Sequence, residues 1–264
     1  MSTALAAPST VAVPRAFART CRAEWSRLWS VRSTWWFVLA TAVAGLGIGV
    51  ILASDASSNP GLEVPPAGAW TGGQFAGMFI LFGLLATSVV TTTGDHVTGG
   101  IVPSLQWTPR RLILLTARTW VVVGTATAYG LLLVTLASLI VWRFVPSFGL
   151  PADGGARTLG GMAFVFATGS LLSVGLGLVT RSTAGGLVGV IALVLVLPLL
   201  LGNLPFEAAQ RLAEVMPGTS VMHLIFEEGP AGMTTTSARV TLGTWATAAM
   251  VLGGWRLLSR DADR

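Results

Sequence analysis

A chain of 264 residues that is 53% hydrophobic and only 10% charged, with a net charge of +5 and a mean hydropathy of +0.74, cannot clothe a water-facing surface. Soluble domains carry about 25% charged residues, so lipid must solvate much of this one. The positive balance does not point to nucleic acid, because the arginines gather at the ends of apolar runs and not on one face, and a single cysteine, Cys21, excludes an internal disulfide.

Residues 1–14 lack the charged start and apolar core of a cleaved signal peptide and are expected to form a disordered tail. Residues 15–264 read as one transmembrane domain. At 100° per residue the segment 15–33 places Phe17, Cys21, Trp25, Leu28 and Trp29 on one broad face and Arg15, Arg19 and Arg22 opposite. That is the pattern of an interfacial helix, arginines toward water and phosphate, tryptophans toward the acyl boundary. Arg15, Arg19, Arg22, Glu24, Trp25 and Trp29 are its candidate functional residues. Such a helix can be a topological anchor or an elbow that touches a cytoplasmic partner, and the sequence leaves both open.

Six apolar runs follow, at about 35–53, 74–94, 119–142, 159–180, 184–204 and 240–257. Each is close to the ~20 residues that cross a bilayer. None holds a charge except the last, whose Arg256 stands near an end and can snorkel. With the N-terminus inside, 12 arginines fall on inner segments and 4 on outer ones, which puts both termini in the cytoplasm. The expected fold is an all-α polytopic membrane protein with six transmembrane helices.

Three connections stand out. Residues 94–111 form the most distinctive stretch, with capping oxygens on Asp95 and Thr98, a hinge at Gly99 and Gly100, apolar Leu105 and Trp107, a break at Pro109 and a basic edge at Arg110 and Arg111. A bare tether does not need His96 and these apolar groups at a membrane surface, so the segment reads as a docking element. The Arg181-Ser182-Thr183 link is a tight hairpin. The outer segment, about 205–239, is too apolar for a plain loop; 206–215 and 221–226 read as short helices dipping into the outer leaflet. Gly45/Gly49, Gly73/Gly77 and Gly185/Gly189 fit the spacing that lets helices approach closely, within or between subunits.

On Asp95, Gly99 or Gly100, Leu105 and Pro109-Arg110-Arg111, with Ala117-Arg118 opening the third span, the chain resembles the permease subunits of type-2 ABC exporters, the small six-span actinobacterial kind. The interfacial helix, the tight link between spans four and five and the helical outer segment match across nearly the whole chain. Asp95 stands where glutamate is usual, and Pro103 interrupts the loop.

The resemblance implies a bacterial inner-membrane exporter coupled to a separate ABC ATPase, which would bind ATP and magnesium; this chain would hold no cofactor or metal. The coupling contacts would be Asp95, His96, Gly99, Leu105, Trp107, Pro109, Arg110, Arg111 and, from the hairpin, Arg181. A second permease copy or a related permease would complete the path, with lipids as the other partners and no nucleic acid. The sequence agrees on one point: without any lysine it has no phosphate-loop lysine of its own. Phe75, Met78 and Phe79 are candidate path residues for an amphipathic drug, antibiotic or lipid-like cargo. An intramembrane enzyme or an ion-driven carrier would need ionisable groups inside the spans, and the runs lack them. A non-transporting scaffold or immunity protein is the alternative.

Overall fold

The computed structural model describes residues 13–59, 61, 63–98 and 111–259. Among them there is no strand. Helix α1 (Val13–Ser30) breaks at an extended Val31 and is followed by α2 (Arg32–Ser58), α3 (Trp70–Thr98) and α4 (Arg111–Phe144). Then come α5 (Ala152–Thr180), α6 (Thr183–Ile191), a π turn (Ala192–Val196), α7 (Leu197–Gly202), α8 (Glu207–Glu214), α9 (Pro217–Phe226) and α10 (Thr235–Ser259).

Among the described residues, five helical segments are long and apolar enough to cross a membrane: Arg32–Ser58, Trp70–Gly94, Leu112–Phe144, Ala152–Thr180 and Thr183–Gly202. This is the build of a multi-pass α-helical membrane protein. The expected sixth run, about 240–257, lies in α10. That helix has the length, at 25 residues, but its threonines, its glycines, Arg239 and Arg256 dilute its apolar content, and it falls below the same measure.

Helix α3 is the axis of the bundle. It touches α2, α4, α5, α6 and α9, and its inward positions Ile80, Leu81, Leu84, Leu85 and Val89 join Val134, Phe166 and Leu172 in one buried core. Glycine sets the closest crossings. A Cβ on Gly175 of α5 would lie 2.5 Å from the backbone of Ala249, and one on Gly253 of α10 would lie 2.6 Å from the carbonyl of Gly175. Helix α10, short of apolar residues, is thus held against α5 backbone to backbone. Of the glycine pairs noted in the sequence, Gly45/Gly49 pack on Ile80 and Ala137, and Gly73/Gly77 on Ser138, Val134 and Met162. Gly189 faces open space, and Gly185 meets only its own turn.

The π turn has a local cause. Pro198 has no N–H to return to Val194, and Leu197 closes a wider ring on Ala192 instead. Gly218, at the start of α9, packs against the carbonyl of Val194, where no side chain would fit. The two short helices expected before the last run are present as α8 and α9. Helix α8 carries an exposed Glu207–Arg211 pair, whereas α9 buries Ser220, Val221 and Ile225 in the bundle.

Candidate functional site

At one end of the bundle, α1 is fastened to its neighbours by a buried ionic joint. Its inward stripe is Thr20, Glu24 and Leu28, one turn apart. Glu24 is 6% exposed and Arg118, on the second turn of α4, 4%. Arg118 donates from Nε and Nη2 to the two carboxylate oxygens of Glu24 at 3.1 Å each. Arg27 donates from Nε to the same carboxylate at 3.0 Å and from Nη2 to the carbonyl of Thr91, in α3, at 3.2 Å. One acid therefore ties α1 to α4 directly and to α3 through Arg27. The two-pronged Arg118 contact suits a buried site, because a guanidinium matches a carboxylate with paired donors.

Arg15, Arg19 and Arg22 are exposed, Trp25 is exposed at 50% on the bundle's outer surface, and Glu24, to which the sequence assigned no face, takes the inward position. Trp29 stays half-buried and stacks edge-on to Trp25 at 5.7 Å and tilted to Trp35 at 5.1 Å. The Trp35 indole closes the break by donating to the carbonyl of Trp29 at 3.0 Å. Beside the joint, burial first and then the Glu24 carboxylate push the Cys21 thiol above its ordinary pKa.

The hairpin after α5 meets the same end. Thr93 of α3 and Thr183 share a hydroxyl–hydroxyl bond of 2.7 Å, and Ser182 caps α6 by accepting from the amide of Gly185. Arg181 closes α5 in the left-handed conformation, φ 53°. Its Nη2 donates to the carbonyl of Arg256 at 3.1 Å, while Arg256 donates from Nη1 to the carbonyl of Val179. Each arginine thus caps the C-terminal end of the other's helix, where cations are favoured.

Of the other residues singled out in the sequence, Asp95 and His96 extend α3 in backbone, and Arg111 opens α4. Gly99, Leu105, Trp107, Pro109 and Arg110 lie outside the described residues, as do residues 1–12 of the expected tail. Phe75 and Phe79 are about half exposed on one side of α3, and Phe75 contacts Phe226 of α9 at 5.0 Å between ring centroids. Met78 turns partly into the core instead, so the three do not share one surface. Met162 and Phe166, also aromatic or soft, are fully buried core.

No protein-family model matches the chain, and no curated protein matches it.

Proposed function

We propose that the chain is the permease subunit of an ATP-driven exporter of the type-2 ABC kind, coupled to a separate ATPase and working as a pair of permeases in the bacterial inner membrane. The observation that carries this reading is the Glu24–Arg27–Arg118 joint. It fastens α1 to α3 and α4, the two helices that flank residues 99–110. A push on that segment by a cytoplasmic subunit would move three helices as one body. An anchor that served topology alone would need only its exposed arginines. The Thr93–Thr183 bond and the paired Arg181 and Arg256 caps extend the linkage to α5, α6 and α10.

In this reading α10 is the sixth span. At ~1.5 Å per residue it is about 37 Å long, and Arg239 and Arg256 stand about 26 Å apart. That spacing lets their guanidiniums reach opposite faces of a ~30 Å hydrocarbon layer. Helices α8 and α9 then dip in from the outer side. The exposed side of α6 and α7, with Val188, the open Gly189 and Leu199, is free for a second permease, and the Phe75, Phe79 and Phe226 patch offers apolar contact to an amphipathic cargo. The chain would bind no nucleotide itself.

The test is purification of the tagged chain in mild detergent, expressed with its chromosomal neighbours. An ABC ATPase retained at equal stoichiometry, and lost on deleting residues 99–110, is expected. A chain that purifies alone beside an expressed ATPase would turn the reading toward the scaffold or immunity alternative.

A further inference from the structure

Beside α5, on the outward side of the bundle, α10 presents a shallow, open groove. Gly243, Thr244, Thr247 and Val251 of α10 form its floor, and Arg239 and Phe164 stand together at its head. Gly243 leaves open space where a side chain would be. The Thr244 hydroxyl donates to the carbonyl of Val240 at 2.8 Å, so its methyl group is what the groove meets. The channel is apolar along its length and cationic at one end. The guanidinium carbon of Arg239 lies 5.9 Å from the Phe164 ring centroid, and among the described residues no acid pairs with it.

We infer that this groove holds an acyl chain of an anionic phospholipid whose phosphate pairs with Arg239. The inference rests on α10 being a span. Two quantities favour this occupant. From Arg239 to Val251 the helix rises about 18 Å, close to the ~15 Å depth of one leaflet. The head of the groove offers a guanidinium, which binds phosphate by paired charge-assisted bonds. A choline headgroup brings its own cation to that point and gains less. A second copy of the chain fits poorly, because a two-fold axis beside this strip would set two like-charged Arg239 side chains against each other.

Native mass spectrometry of the full chain, released from detergent with phosphatidylglycerol or phosphatidylcholine added, reads the site directly. The unaltered chain is expected to keep one phosphatidylglycerol in preference to phosphatidylcholine. Arg239→Gln should weaken retention about tenfold, and Gly243→Leu, which fills the groove and spares the charge, should do the same. Equal retention of both lipids, or phosphatidylglycerol binding unchanged in both variants, overturns the site. So does disulfide pairing of two chains through Thr247→Cys. Thr235→Cys and Ser259→Cys, labelled from each side of sealed vesicles in a Cys21→Ser background, separate the two levels. Labelling from one side removes the span and the inference with it; labelling from opposite sides without lipid preference removes the lipid site alone.

Discussion

Glu24 satisfies two arginines from a position 6% exposed, and removing one partner of a buried ion pair costs about 3–5 kcal/mol. Glu24→Ala is therefore expected to lower the thermal midpoint in detergent by several degrees, and Glu24→Leu with Arg118→Met, which removes the fully buried pair and leaves only the partly exposed Arg27, should recover much of the loss. The Asp153–Arg157 pair, more than 70% exposed on both sides, gives the contrast: Asp153→Ala should change stability by less than about 0.5 kcal/mol. Cys21 reports on the joint without disturbing it. Its raised pKa keeps the thiol protonated at neutral pH, so maleimide labelling should lag behind a free cysteine and accelerate only in more alkaline buffer. Glu24→Gln removes the carboxylate's share of that shift and should move the rate profile to lower pH; an unmoved profile would mean that burial alone sets it.

The pairing of α5 with α10 depends on two glycines with no room to spare. Gly175→Val would drive a side chain into the backbone of Ala249 and Met250, and should cut both the yield of folded protein and its melting temperature. Gly189→Ala meets nothing within 4 Å and should be neutral or gain up to ~1 kcal/mol from helix propensity. A melting comparison in the same detergent distinguishes them. The sequence could not separate these glycines, since both stand in equally apolar runs and only the partner helix tells them apart. What it could show was governed by locality. The five apolar runs, the two short outer helices and the hairpin at Arg181 depend on neighbours a few residues away. The rotation of α1 depends on a partner 94 positions off, so no local pattern marks Glu24 as its inward residue. The π turn was equally hidden, because Pro198 signals a break but not the ring size that results.

Across the whole molecule, the arginine bias and the five apolar helices make a directional prediction. In a Cys21→Ser background, a cysteine at Ser57, beyond the far end of the first run, should react with an impermeant thiol reagent in intact cells. One at Ser182 should react only after the membrane is opened. Labelling of Ser182 in intact cells would invert the bundle and put the Glu24 joint on the wrong side for an ATPase. Residues 99–110 of the expected docking segment lie outside the described residues, and what the structure gives is the joint between the helices that flank them. Of the residues of that joint, Arg118 stands just before an apolar run, in the Ala117-Arg118 pair noted in the sequence, whereas Glu24 and Arg27 show only as an acid and a base on an arginine-rich helix.

The joint also sets an order of events during synthesis. Glu24 leaves the ribosome 94 residues before Arg118, an interval of roughly 5–20 s at ordinary elongation rates. Through that interval α1 lacks its partner on α4. Its exposed arginines and tryptophans must hold it at the lipid surface while α2 and α3 insert, and it swings into place only when α4 arrives. The amphipathic character of α1 is thus a waiting arrangement, and the carboxylate inside it is the catch that ends the wait.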